Sequence, residues 1–427
     1  MHRAAYTMLA VMAIFGATAQ ASMAADTLTL EKAVRLAREA NPGLAAKRAM
    51  ADAAGETPSQ AGSLPDPMLM MNAMNLPTDS FSTSKENMTQ LQIGISQRIP
   101  FPGKLGLLKE SATHIAHGMR NEQMDYEQEL VRQVQVAWWN LLYLDRATEI
   151  VRNNQNLLRQ LVLIAEMKYK LGSGLQQDVL LAQLELSKLL DKEIGLVSLR
   201  EQMAASLNGM LNQSVASKVR LPKRVKVTLP RLKSGATLRK EALRSRPLLA
   251  AREAQKEAAK ARLELARKGY YPDFNLAATY GLREANPASG DPRSDLASVM
   301  LSISIPLYAG SKQSRHIVQR THEQAAVERA YEETESNILA SITRLMSEYR
   351  KAASQAELFK TGIIPQAKQT VESMQAGYQV NKVDFLNLVR AQITLYNYEI
   401  DYWKSVASAN QALASLMRAV GRENVHE

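Results

Sequence analysis

The sequence predicts a mainly α-helical chain with membrane-type β-strands, built from a duplicated helix-strand-strand-long helix-helix unit. The long helices fold back as antiparallel coiled-coil hairpins, and each chain contributes four strands. Three observations carry that prediction. Landmarks of the first half return in the same order in the second, at a nearly constant offset. Two pairs of segments of roughly ten residues, the length of a tilted membrane strand, alternate apolar with polar residues, the first of them (Met68 to Leu76) less cleanly than the other three. After the first pair a helical pattern persists for about 65 residues, reaching about 100 Å at the α-helical rise. A rod of that length cannot be buried inside one globule.

Residues 1–25 read as a cleaved export signal. His2 and Arg3 give a basic start, Met8 to Gly16 are almost wholly apolar, and small residues suit cleavage after Ala21 or after Ala24/Ala25. The apolar run is shorter than the roughly 20 residues a membrane span needs. Among 427 residues, 53 Lys and Arg against 42 Asp and Glu give a net charge of +11. Loss of Arg3 leaves +10. There is no cysteine, which excludes a disulfide scaffold, a zinc-thiolate site, a thiol nucleophile and S-linked lipidation. No later segment is apolar enough for a transmembrane helix, so the exported chain is periplasmic, secreted or part of an outer-membrane barrel.

The first repeat spans 26–212. It opens with a helical stretch from about Thr29 to Gly55. Strands follow at about 67–76 and 89–99, where Leu91, Ile93, Ile95 and Ile99 alternate with Gln92, Gly94, Ser96 and Arg98. A long hairpin occupies 103–212. On its outgoing helix Leu130, Val134, Ala137, Leu141, Leu144, Thr148 and Val151 step by four and three, the spacing of a coiled-coil seam. Leu171-Gly172-Ser173-Gly174 breaks the helix. Ala182, Leu186, Leu189, Leu196, Met203, Leu207 and Met210 mark the return, interrupted by Glu193 and Arg200.

A basic linker at 213–236 carries seven Lys and Arg between Lys218 and Lys233 and no acid. It reads as an irregular belt with a solvated basic surface; export and the lack of any recognition motif argue against nucleic acid. The second repeat, 237–421, begins with a helical stretch from about Thr237 to Lys268. Its strands lie at about 273–282 and 296–305 and its hairpin at 308–420, with a tail at 422–427. Pro42, Pro65 and Ile99-Pro100 return as Pro247, Pro272 and Ile305-Pro306, and Tyr169 returns as Tyr378. Gly362 and Pro365 predict a kink in the second outgoing helix. Alternation places Leu91, Ile93, Val299 and Leu301 toward lipid, and Gln92, Ser96, Arg98, Ser298, Ser302 and Ser304 toward a wet lumen. Four strands are too few to close a barrel, and an open edge is not tolerated in lipid. The chain must therefore oligomerise if the strands are in a membrane; half-buried strands in a soluble protein are the competing reading.

This order of elements resembles the TolC family of outer-membrane efflux channels over essentially the whole mature chain. The runs Gln97-Arg98-Ile99-Pro100-Phe101-Pro102-Gly103-Lys104 and Tyr169…Gly172…Asp178-Val179-Leu180…Ala182-Gln183 carry the likeness. Pro-Phe-Pro-Gly-Lys with Leu64-Pro65-Asp66-Pro67 is similar to the heavy-metal (CusC/CzcC-like) subgroup. The resemblance implies a homotrimer whose pooled strands form a twelve-stranded barrel in outer-membrane lipid, continued by twelve helices into the periplasm. It also implies a periplasmic adaptor (membrane fusion protein) at the helical tips and an inner-membrane RND pump driving export. The tip turns, Leu171, Gly172, Ser173 and Gly174 with Val380, Asn381, Lys382 and Val383, are then the adaptor contacts. Asp178 and Tyr378 are implied to link neighbouring coils at a constriction. The family's acidic selectivity positions fall on Asn387 and Arg390, with Asp384 one turn before Asn387.

The expected function is an exit duct that passively exports substrates, heavy-metal cations first among them. The alternatives are a drug or type I secretion channel, or a soluble periplasmic coiled-coil adaptor. No phosphate loop, nucleophile elbow or metal-protease helix is present, so no enzyme and no cofactor are expected. His114 and His117, with His316 and His322 in the other repeat, supply too few ligands for a metal site. Met68, Met70, Met71, Met74 and Met88 are soft thioethers but read first as apolar strand packing.

Overall fold

The structure is a computed structural model describing residues 27–427; the export signal assigned to 1–25 lies outside the described residues. Proline splits each opening helical stretch in two. The first becomes α1 (Leu30–Ala40) and α2 (Pro42–Gly62). A residue before proline is pushed out of the helical region, and proline at the first helical position has no N–H to leave unpaired. Asn41 sits there extended, and its side chain accepts from Leu44 N at 3.0 Å and donates to the Met210 carbonyl at 2.9 Å. The first expected stretch, ending near Gly55, thus has an internal break and continues to Gly62. Arg246 and Pro247 divide the second one in the same way, into α5 (Gly235–Ser245) and α6 (Pro247–Arg267).

Strands β1 (Met68–Met74), β2 (Gln90–Ile99), β3 (Phe274–Leu282) and β4 (Leu296–Ile303) form one antiparallel sheet in the order β1-β2-β3-β4. The central β2–β3 pair joins the two repeats, with Ile93 opposite Tyr280 and Ile99 opposite Phe274. Register places Leu69, Met71, Ile93, Ile95, Leu276 and Leu301 on one face. That apolar face is bare; Met71 and Val299 keep 76% and 78% of their surface. Gln92, Ser96 and Arg98 share the other face with Ser298 and Ser302, while Ser304 just beyond β4 bonds back to the Asp273 carbonyl. Met68, Met70 and Met74 also lie on the polar face, whereas Met71 does not.

The long helices are α3 (Lys104–Lys170), α4 (Gln176–Met210), α7 (Gln313–Leu358), α8 (Ile364–Gln379) and α9 (Phe385–Val420). Near the sheet the side-by-side order is α2-α3-α6-α7, and toward the far end it is α4-α3-α9-α7/α8. The helices thus form one layer whose two sides are left open. All seven seam residues from Leu130 to Val151 are buried. The interruptions in α4 are cross-hairpin bonds: Glu193 binds Arg152 at 2.6 Å and Gln155 at 2.7 Å, and Arg200 binds Asp145 and the Val219 carbonyl. Between α7 and α8, Phe359–Ile363 form a π-helical turn. Pro365 explains it, because it lacks an N–H and its ring crowds the carbonyl four residues back.

The basic linker is an extended strap across the helix layer. It offers carbonyls to Arg200 of α4 at Val219, to Arg146 of α3 at Lys223 and to Tyr349 of α7 at Pro230. Val219 and Leu221 are buried in the core cluster that also holds Trp138 of α3, while Lys218, Arg220, Lys223 and Arg224 face solvent. Burial pushes the Tyr349 hydroxyl up to about 12, keeping it a donor.

Below the strap Arg246 is almost fully buried. It binds Asp125 at 2.7 Å and the Arg418 carbonyl, and Arg418 reaches Asp125 and Glu129. Burial brings Arg246 down to about 10 against the pull of Asp125, so it stays charged at neutral pH. Replacing Asp125 with Ala is expected to destabilise the protein by roughly 3–5 kcal/mol, because it strands a buried cation. Thermal denaturation of the purified protein measures this; an unchanged midpoint would contradict it.

Sheet and helices meet at Asp273. Its carboxylate accepts from Lys104 at 2.7 Å, the Phe101 N–H at 3.0 Å and Arg98 at 3.1 Å, while Phe101 stacks on Tyr271 with ring centres 4.5 Å apart. Gly103 takes a positive φ of 87° where the chain turns into α3. Burial raises the Asp273 pKa, but Lys104, the Phe101 N–H and Arg98 together outweigh it and hold the carboxyl below its ordinary 3.8. Such a group stabilises the fold above that ordinary value and loses its contribution as pH falls through the lowered one. Asp273→Asn should lower the denaturation temperature at neutral pH, with the gap to the parent closing on acidification below about pH 4. A gap that stays constant with pH would refute the linkage.

Candidate functional site at the hairpin tips

Both hairpins turn by the same local device. In the first, Gly172 has φ of 70°, its N–H reaches the Tyr169 carbonyl at 3.0 Å, and Ser173 N reaches Lys168 at 2.9 Å. In the second, Asn381 has φ of 56°, its N–H reaches Tyr378 at 3.2 Å, and Lys382 N reaches Gly377 at 2.8 Å. Glycine and asparagine are the residues that tolerate this left-handed C-terminal cap. At Gly174 a Cβ would stand 2.8 Å from the Cβ of Lys168, so only glycine closes that turn without displacement. Leu171 and Val380 project at the ends with 80% and 64% of their surface exposed.

Lys168, not singled out in the sequence, joins the two tips. Its ammonium donates to the Tyr378 carbonyl at 2.9 Å and Asn381 Oδ1 at 2.7 Å, and lies 4.1 Å from the centre of the Tyr378 ring. Desolvated cation–ring contacts of this kind contribute on the order of 1–2 kcal/mol. The only sequence signal for it is a cation in the last turn of α3; the partner lies 210 residues away. Tyr378 is buried against Phe385, and its hydroxyl has no hydrogen-bond partner within the protomer among the described residues.

Asp178 opens α4 beside this cluster. Burial raises its carboxyl above 3.8 and the charge of Asp384 adds to that, opposed by the backbone at Leu175 and by Lys168. Burial and then the Asp178 charge raise the Tyr378 hydroxyl. The structure therefore brings Asp178, Tyr378 and Asp384 to one end of the molecule. No hydrogen bond joins Asp178 to Tyr378 within one protomer among the described residues. Asn387 and Arg390 face solvent on α9, and neither side chain has a hydrogen-bond or ion-pair partner among the described residues. Val383 packs near Gly377, and Ser173 Oγ donates to the Lys168 carbonyl at 3.2 Å.

Higher in the coiled coil, Gln392 of α9 donates to Asn154 of α3 at 2.6 Å, both buried. Such buried polar pairs fix helix register at some cost in stability. Among the described residues no group of three or more His, Asp or Glu could hold a metal ion. The rings of His114 and His117 lie 6.4 Å apart, and His316 accepts from Arg320.

A family model for outer membrane efflux proteins matches residues 33–213 and 238–422, which are the two repeats without the strap. The cobalt-zinc-cadmium resistance protein CzcC of Cupriavidus metallidurans is 22% identical over 406 residues, covering 93% of this chain and 91% of that one. Among solved structures, the outer membrane protein VceC of Vibrio cholerae aligns with TM-score 0.78 at 17% identity, over 92% of this chain and 96% of its own. CusC gives the same score and identity over 92% of each chain. The fold is that of trimeric channels with a β-barrel and long helices, and the family comprises non-enzymatic transport channels. With its model spanning both repeats and its fold shared along nearly the whole length, the chain belongs to the outer membrane efflux protein family and is an outer-membrane efflux channel.

Proposed function

We propose that this protein is the exit duct of a tripartite, RND-type efflux system, passively carrying heavy-metal cations from the periplasm or pump to the exterior. The observation that carries the duct reading is the one-layer architecture. An amphipathic four-stranded sheet continues into a single layer of rods, both open at their sides, so copies placed side by side enclose a bore. Three chains give a twelve-stranded barrel whose lumen is lined by Gln92, Ser96, Arg98, Ser298, Ser302 and Ser304. The lipid face is then the bare apolar one. The metal reading rests on the likeness to CzcC across 93% of the chain.

One observation favours a different cargo. Arg390 stands exposed where the resemblance implies an acid, and threefold repetition of that charge repels cations. Deleting the gene separates the readings. Sensitivity to zinc, cobalt, copper or silver should rise several-fold and be restored by the plasmid-borne gene. Sensitivity to drugs alone would replace the metal reading with that of a drug channel.

At the tips, Leu171 and Val380 are apolar, exposed and held on rigid turns, which suits contact with the helical hairpin of a periplasmic adaptor. Asp178, Tyr378, Asp384, Asn387 and Arg390 lie at the same end and form the constriction, with Lys168 tying its two hairpins. Leu171→Arg together with Val380→Arg should abolish export while leaving trimers in the outer membrane, since exposed substitutions cost about 0.5 kcal/mol or less. Resistance assays beside membrane fractionation read both effects. Undiminished export from the double variant would eliminate the tips as the docking site.

A further inference from the structure

The strap, α1 and α5 load one side of the helix layer, and the other side is a polar wall. Trp138 of α3 shares a core cluster with the strap, as do Tyr349 of α7 and Ala409 of α9. On the opposite flank of α9 every third or fourth residue from Arg390 to Arg418 is polar, Asp401, Lys404, Ser408, Gln411 and Ser415 among them. On α7 the same spacing runs through Asn337, Ser341, Arg344, Glu348, Lys351 and Gln355. Steps of three and four keep such a stripe on one face of a helix. Between the stripes lie two adjoining grooves of about 690 and 570 Å³, which share Arg132, Glu348 and Ser415. Their lining holds the cations of Arg132, Arg246, Arg344, Lys351, Lys404 and Arg418 against the carboxylates of Glu348 and Asp401. Arg246, Arg418 and Arg132 are engaged with Asp125 and Glu129, and Arg344 with Glu348. The charge of Asp401 reaches Lys192 of α4, where it opposes the effect of burial. Lys351 and Lys404 are exposed and have no hydrogen-bond or ion-pair partner among the described residues, so they carry the surplus charge.

We propose that this wall makes the duct prefer anions, with Lys351 and Lys404 as the residues that set the preference. In a closed ring the side that carries the strap and two extra helices is the outer one, because a bore would be filled by them. The polar wall then faces the bore. Threefold repetition turns Lys351 and Lys404 into rings of ammonium groups, and rings of Lys or Arg favour anions as rings of Asp or Glu favour cations. Their field reaches about 8 Å from the wall at physiological ionic strength. The preference rests on the channel reading, because a single sector encloses no bore. It also fixes the form of the cargo: small solutes of net negative charge cross most readily, and a metal crosses as part of an anionic complex.

The test is the reversal potential of the purified protein in a planar bilayer of neutral phosphatidylcholine under a gradient of KCl. The parent should show the sign set by chloride. Lys351→Gln with Lys404→Gln should move the potential toward zero, and Lys351→Glu with Lys404→Glu should reverse it. Both positions are exposed, so the variants keep the fold. Lys223→Glu with Arg224→Glu makes the same change of charge on the strap and should leave the potential where it was. A parent potential of the sign set by potassium, or wall variants that do not shift it, would overturn the preference. An equal shift from the strap variant would overturn its assignment to the wall. No current from the parent and none from Lys168→Ala, which unties the tips, would overturn the channel reading instead.

Discussion

The structure depends on one constraint: backbone N–H and C=O groups in hydrocarbon must all be paired. The sheet satisfies this for β2 and β3 and leaves the outer edges of β1 and β4 open. An exposed edge is a template for another chain even in water. In lipid it is not an available state. The bare apolar face with Val299 and Met71, the second open pair of edges in the helix layer and the duplicated unit all follow from a molecule that becomes whole only when its edges are joined. The protomer is therefore one sector of a cylinder.

Within a sector, polar contacts set the register that apolar seams alone would leave free to slide. Leucine seams tolerate a shift of one heptad, but Gln392 on Asn154, Glu193 on Arg152 and Arg200 on the strap do not. The strap acts like a hoop, binding α4, α3 and α7 through its own carbonyls about halfway along the rods. Asp273 does the corresponding work at the membrane end, tying the first repeat's strand exit and first long helix to the second repeat. At the tips, Lys168 bridges the two hairpins through the Tyr378 carbonyl and Asn381.

Much of this architecture is legible in the chain because it repeats or alternates. Leu91, Ile93 and Ile95 point one way because strand geometry has period two, and Leu130 to Val151 are buried because a seam has period 3.5. Pro365 announces its own defect. The break at Asn41-Pro42 carries the same kind of signal, yet an amphipathic pattern continuing on both sides masks it. Lys168, Asp273 and Arg246 could not be singled out, because what makes each of them matter is a partner more than a hundred residues away. At the candidate site, the turn residues Gly172 and Asn381 are readable from backbone preference. The approach of Asp178 to Tyr378 comes from the packing of two hairpins 200 residues apart in sequence, which no local pattern encodes.

The most direct test of the central claim is the structure of the purified protein in a lipid nanodisc by single-particle cryo-electron microscopy. Three copies should enclose one bore, with β1 and β4 hydrogen-bonded between neighbours and no strand edge facing lipid. A lone chain whose outer strands are capped by its own residues would contradict the account.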